Sequence, residues 1–288
     1  MVFDAEDEPH PDIYNVVNTK MFTTGADVLQ SGVQLMNHQS RWFSLINVLE
    51  YFFWFRSGLS FFTHVGGVTP LGGNTVAVKT PLLARINGWD ESCLTEDADL
   101  GIRLAARGAT IDVIYDEKYV TREETPLSLA HFINQRTRWI QGFIQIFFKG
   151  NWMTLPRLPQ QLMVIYILLS QVFQTVFFLY TPVNIWLSYS YKLPVVVSML
   201  SIVPLYFLFL QLIVGLLGLV EFSRVYRKRV GFITCCKLVL SFYPYQLVLV
   251  YATIRAVTRL ATSRNAWEKT LHLNIHREEK FLEEVLYA

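Results

Sequence analysis

Three long apolar stretches, near Gln160 to Leu187, Leu193 to Val220 and Gly231 to Val257, dominate the second half of the chain. Each reaches or exceeds the roughly 18 to 20 residues that span hydrocarbon. They predict membrane helices, because a soluble protein enclosing three such stretches almost without charge would have to be far larger. The first half has a different pattern. Short β-rich runs (Met1 to Phe3, Thr75 to Val78, Thr110 to Tyr115) alternate with helical segments and Gly-rich turns, as expected of an α/β domain. Between the two halves, Leu127 to Phe148 has the periodicity of an amphipathic helix. The expected organisation is an α/β domain over 1–126, an interface helix over 127–152, an all-α transmembrane region over 153–260 and a tail over 261–288.

Composition sharpens this picture. Of the 288 residues 52% are hydrophobic and 17% charged, against roughly 25% charged in an ordinary soluble domain, and mean hydropathy is +0.31. Disorder is excluded. The net charge of +2 argues against a nucleic-acid partner, and three cysteines, two of them adjacent, make no secreted disulfide framework. The opening Met1-Val-Phe-Asp-Ala-Glu-Asp has neither the basic start nor the apolar run of a signal peptide, so the α/β domain is not expected to be exported. Arg224, Arg227, Lys228 and Arg229 lie in one loop and only Lys192 in the other, which places the basic loop in the cytoplasm. Arg255, Arg259, Arg264 and Lys269, at and beyond the end of the third stretch, would then fall outside if it crossed once. Pro244 is expected to split that stretch into a hairpin or re-entrant pair.

Four places offer chemistry. Asp4 and Glu6 follow an apolar run and are spaced to share one divalent cation, which suits a nucleotide-diphosphate ligand; taken alone, such a cluster reads first as a solvated acidic turn. In Leu71-Gly72-Gly73-Asn74, Gly73 permits close backbone approach and Asn74 offers hydrogen bonds, although a plain Gly-Gly turn explains it equally well. In Thr95-Glu96-Asp97-Ala98-Asp99, Thr95 is a natural N-cap and the acids suit a helix N-terminus. Crowding three carboxylates into five positions also raises the proton affinity of at least one, and Asp97 is a candidate general base. Finally, Gln135-Arg136-Thr137-Arg138-Trp139 places two cations and a flat ring together. The bland reading, an interfacial helix with snorkelling Arg, is preferred from helix physics alone.

The order of these pieces resembles membrane-bound family 2 glycosyltransferases, the group containing cellulose, hyaluronan and poly-N-acetylglucosamine synthases, from Val2 to about Gly142 and through the helices that follow. The resemblance implies part of a GT-A catalytic fold followed by membrane helices. Asp4-Ala5-Glu6 looks like the family's Asp-x-Asp motif for Mg²⁺ or Mn²⁺, with Glu6 in place of the second Asp. Thr95-Glu96-Asp97 matches the Thr-Glu-Asp motif, whose Asp deprotonates the acceptor hydroxyl for inverting transfer. Gln135, Arg138 and Trp139 match Gln-x-x-Arg-Trp, which holds the donor diphosphate and stacks the acceptor sugar, and Arg136 fits a usual variant. Trp267-Glu268-Lys269-Thr270 looks like the segment that closes over the donor nucleotide. That segment belongs on the catalytic side, so the number of crossings after Asn151 should be even. The implied partners are a nucleotide-sugar donor, expected to carry UDP, a glycan or lipid-linked acceptor, and membrane lipids, with polymer synthesis or single transfer both open. The family's nucleotide-binding βαβ portion precedes its metal motif, so this chain looks like the C-terminal part of a synthase. The competing reading is a catalytically inactive membrane interaction module.

Overall fold

A computed structural model describes residues 1–4, 7–192 and 194–268. From the N-terminus, α1 (Ile13–Thr24) leads into β1 (Val28–Ser31) and β2 (Val33–Leu35). Next, α2 (Ser44–Phe53) runs through a π turn (Trp54–Gly58) into α3 (Leu59–Phe61) and a second π turn (Phe62–Gly66). Then come β3 (Val76–Val78), α4 (Thr80–Arg85), α5 (Glu96–Ala106), β4 (Ile111–Ile114), β5 (Thr121–Glu123) and α6 (Leu129–Lys149). β1 is buried along its length and lies between β3, antiparallel, and β4, parallel. β2 and β5 form a separate parallel pair. The mixed α/β class is what the sequence implied, but β1, β2 and β5 fall outside the β-rich runs expected from it, and the start differs as well. Met1 to Phe3 is not a strand: Val2 makes a single antiparallel bridge to Val76, and the Asp4 N–H donates to Asp7 Oδ2 at 2.9 Å.

After a turn at Asn151–Thr154 come α7 (Leu158–Ser190), α8 (Val195–Ser201), α9 (Val203–Val225) and α10 (Phe232–Ala261). Among the described residues, α7, α9 and α10 are long and apolar enough to cross a membrane. The second apolar stretch is interrupted where α8 ends, because Pro204 begins a new helix in the first turn of α9, a position where its missing N–H costs nothing. The third stretch is not split at Pro244: α10 is continuous. Tertiary packing holds it, since Phe242 and Tyr245, on either side of the proline, join the buried cluster that also contains Phe43, Phe52 and Phe132.

Two arrangements place the helices relative to the α/β part. α10 runs alongside α6 in the same direction: Tyr245 meets Phe132 with ring centroids 5.3 Å apart, Ala252 and Ala256 pack on Ile140 and Ile144, and Arg259 donates to Gln141 Oε1 at 2.9 Å. α7 and α9 instead leave the α/β part and return to it. The start of α7 is tied there by Gln160 Nε2 to Gly67 O at 3.1 Å, and the end of α9 by Arg56 to Glu221 at 2.9 Å and by the Tyr115 and Tyr226 hydroxyls at 2.6 Å.

Candidate active site

The helix carrying Gln135 to Trp139 is locked directly onto the Thr95-Glu96-Asp97 turn. A Cβ on Gly142 would sit 2.8 Å from Thr95 N and closer still to its side chain, so only glycine lets α6 approach this backbone. Leu94 N donates to Gln145 Oε1 at 3.0 Å. At the end of α6, Lys149 bonds Asp90 at 2.5 Å and Asp99 at 2.8 Å. Asp99 is fully buried and also receives Arg103 Nε at 2.6 Å. One of the three crowded carboxylates is therefore an anchor. Thr95 stands at the N-cap position but makes no side-chain capping bond, because its side chain faces Gly142 of α6 instead.

Asp97 has a different setting. Its Oδ1 accepts the Trp89 indole N–H at 2.9 Å, and its Oδ2 lies 2.7 Å from where a Cβ on Gly73 would be, with Asp4 Oδ2 4.0 Å from the same point. Burial pushes the Asp97 carboxyl up to about 6, helped by the charges of Glu96 and Asp4 and opposed by the Trp89 bond. Glu96 is also raised, again chiefly by burial. The Gly73 loop is held by Gln30, a fully buried side chain of β1, which takes the Gly72 N–H at 2.8 Å and gives its amide to Asn74 O at 2.9 Å. Asn74 Nδ2 in turn donates to Asp7 Oδ1 at 3.3 Å. Asp7 thus fastens the loop beside Asp4.

These residues open on one cleft of about 1020 Å³. Asp4, Gly73 and Asn74 line one side, Thr95, Glu96 and Asp97 another, and Gln135, Arg136, Arg138, Trp139 and Trp267 a third. Gln135 Oε1 is shut off from solvent without a hydrogen-bond partner among the described residues. The two arginines differ. Arg136 Nη2 bonds Glu50 at 2.5 Å, Asn47 Oδ1 at 2.6 Å and Tyr245 OH at 3.3 Å, tying together α2, α6 and α10. Its guanidinium also lies 4.9 Å from the centre of the Trp139 ring, holding that indole in place. Arg138 stacks on Trp267 at 3.9 Å, and the segment carrying Trp267 is clamped to α6 by Gln141 Nε2 bonding Arg264 O and Asn265 Oδ1, each at 2.9 Å. Glu6, Lys269 and Thr270 lie outside the described residues.

Sequence reasoning missed Gln30, Glu50 and Glu123, the last a cleft residue at the end of β5, and it singled out Trp89 in Gly88-Trp89-Asp90 without giving it a role. Glu50 carried one signal, as the charged residue of a helix that is otherwise without charge, and Gln30 carried a weaker one, a long polar side chain in a short strand.

Residues 1–253 match the family described as Glycosyl transferase family group 2. The chain belongs to that family. This family 2 glycosyltransferase is 36% identical over 84 residues to a beta-monoglucosyldiacylglycerol synthase of Synechocystis, and 34% identical over 87 residues to one of Trichormus variabilis. It is also 29% identical over 89 residues to a probable glycosyltransferase, YdaM, of Bacillus subtilis. These matches cover 28%, 29% and 28% of the chain in that order, and 16%, 17% and 21% of the relatives. The chain thus matches about a fifth of their length or less.

Proposed function

We propose that this family 2 glycosyltransferase moves a sugar from a nucleotide-diphosphate donor, with UDP as the nucleotide carrier, to an acceptor that reaches the cleft from the membrane. The observation that carries the reading is Asp97, raised to about 6 in a cleft it shares with Asp4 and Trp139. A carboxylate of that proton affinity is ionised at neutral pH and still accepts a proton readily. It takes the acceptor hydroxyl proton as that oxygen bonds to the anomeric carbon. The bond from that carbon to the donor phosphate breaks on the opposite face, so configuration inverts and the nucleoside diphosphate leaves. Arg138 offsets the charge growing on the diphosphate. Trp139, held by Arg136, forms the floor for the acceptor, and the unpartnered Gln135 Oε1 accepts from a sugar hydroxyl.

A divalent cation fits the same corner. Gly73 leaves a space, flanked by Asp4 Oδ2 and Asp97 Oδ2, that a Cβ would fill, and Mg²⁺ or Mn²⁺ takes hard oxygen donors, often only one or two carboxylates plus phosphates. Asp4 is the residue to hold it, and the ion would supply charge stabilisation for the departing diphosphate.

The connectivity supports two crossings, out along α7 and back along α9, with α10 lying beside α6 at the membrane surface. Arg224, Arg255 and Arg259 then share a side with the catalytic part, as a cytoplasmic location requires. The even count expected from Trp267 follows without dividing α10.

The test is release of nucleoside diphosphate by the purified chain in diacylglycerol-containing vesicles, across a panel of nucleotide sugars. Release with a UDP-sugar that falls at least a hundredfold in Asp97→Asn is expected. No release with any donor, or a variant near wild type, rejects the assignment.

A further inference from the structure

The cleft does not stop at Trp139. It continues between α7, α9 and α10, where Phe207, Leu210, Val214, Leu238 and Phe242 make apolar walls. Four glutamines interrupt them: Gln171 and Gln174 of α7, Gln211 of α9 and Gln246 of α10. Gln174 Nε2 donates to Gln246 Oε1 at 2.6 Å and approaches Gln211 Oε1 at 3.4 Å. Gln171 lines the same space, and its Nε2 is closed off from solvent with no hydrogen-bond partner among the described residues. Polar side chains among lipid-facing helices are costly unless something satisfies them, so three helices contributing amides to one cavity call for a ligand. The cluster sits close to the chemistry. Val172, beside Gln171, packs against the cluster of Ile140, Ile144, Ala252 and Ala256, which includes the helix that carries Trp139, and Gln246 follows Tyr245, which donates to Glu50 at 2.5 Å.

We propose that these glutamines form a subsite for the uncharged hydrogen-bonding linkage, ester or hydroxyl, of a lipid acceptor whose chains lie along the apolar walls and whose free hydroxyl points toward Asp97. The inference rests on the reading of the cleft as the place where an acceptor is glycosylated. Charge decides the class. Among the described residues, none lining this lower part is Asp, Glu, Lys or Arg, and the nearby Arg136 is paired with Glu50 at 2.5 Å. A phosphate-bearing lipid would bring an anion to a wall without a cation to receive it. A glycan chain would need polar partners along its whole length, and the walls supply them only at the glutamines.

The experiment uses the full chain in phosphatidylcholine nanodiscs with a dioleoylglycerol carrying a diazirine on one acyl chain, with labelled residues mapped by mass spectrometry. Labelling is expected on α9 and α10 facing the cavity. Gln171→Leu, which removes no bond within the protein, should weaken it about three- to tenfold, the loss expected for one neutral hydrogen bond. Gln246→Leu is the second variant. Unlabelled dioleoylglycerol should compete and phosphatidic acid with the same chains should compete at least tenfold less well. Labelling unchanged in both folded variants, equal competition by phosphatidic acid, or displacement by a soluble oligosaccharide would each overturn the subsite. Sugar transfer is read separately. Glutamine-dependent labelling without transfer would reject the transferase reading alone, whereas transfer with labelling indifferent to the glutamines would reject the subsite alone.

Discussion

Replacing Asp97 with Asn should abolish activity and stabilise the fold, and the pH at which each effect appears follows from the geometry. Burial, with Glu96 and Asp4 nearby, raises the carboxyl from its ordinary 3.8 to about 6. At about 1.4 kcal/mol per tenfold change in proton affinity, the ionised form is disfavoured in the folded protein by about 3 kcal/mol. The folded protein binds this proton more tightly than the unfolded chain, so the wild type carries the penalty at pH 8. It sheds the penalty as pH falls through 6 and is free of it below about 3.8, where the unfolded chain is protonated too. Asn carries no charge at any pH and keeps an oxygen for the Trp89 indole, now 2.9 Å away. In chelator, the apparent melting temperature of Asp97→Asn, followed by tryptophan fluorescence, should exceed wild type at pH 8, with the difference shrinking from pH 6 downward and vanishing near pH 4. Sugar transfer by the wild type should rise with pH, with a midpoint near 6 that a bound cation moves lower, and the variant should lose on the order of 10²- to 10⁴-fold. A variant less stable than wild type at pH 8, or a difference independent of pH, would refute a buried, ionised Asp97.

The other positions divide by what they touch. Asp99→Asn should destabilise by about 3 kcal/mol or more, as breaking a buried pair does, because it removes the carboxylate between Arg103 and Lys149; a melting temperature within a degree of wild type would contradict this. Gly142→Ala should lower stability by about 1 to 3 kcal/mol despite alanine's better helix propensity, since the new methyl meets Thr95; a more stable variant would mean that α6 and the Thr95 turn do not touch. Gly73→Ala should leave the melting temperature nearly unchanged while cutting transfer at least tenfold, because the displaced group is the Asp97 carboxylate. Unimpaired transfer would argue against a ligand or cation in that corner.

What the sequence disclosed, and what it withheld, follows the range of the interactions. α6 is amphipathic and α7 apolar over many residues, and their observed bounds fall within a few positions of the expected 127–148 and 160–187. The loop held by Gln30 depends on partners 42 and 44 residues away, and Glu50 meets Arg136 across 86. No local pattern encodes such pairings. A Gln in a short strand, beside Ser31, signals only that some buried partner exists. The continuity of α10 through Pro244 was hidden for the same reason, since proline's local cost is visible in the sequence and the packing of Phe242 and Tyr245 that overrides it is not.

The motif spacing itself carries a structural logic. Asp97 and Asp99 are two residues apart on a helix, as are Arg136 and Arg138, and two helical steps of about 100° each set side chains on nearly opposite faces. One member of each pair therefore reaches other elements of the fold, although Arg136 also borders the cleft that Asp97 and Arg138 line. Asp99 is spent on Arg103 and Lys149, and Arg136 on Glu50, Asn47 and Tyr245. Those inward anchors are joined through α6, where Gly142 and Gln145 meet the Thr95 turn and Lys149 reaches Asp99. Asp97 and Arg138 are thus held at fixed positions by their own neighbours in sequence. A charge of either sign placed at a single position would have had to choose between holding the cleft together and serving the ligand within it.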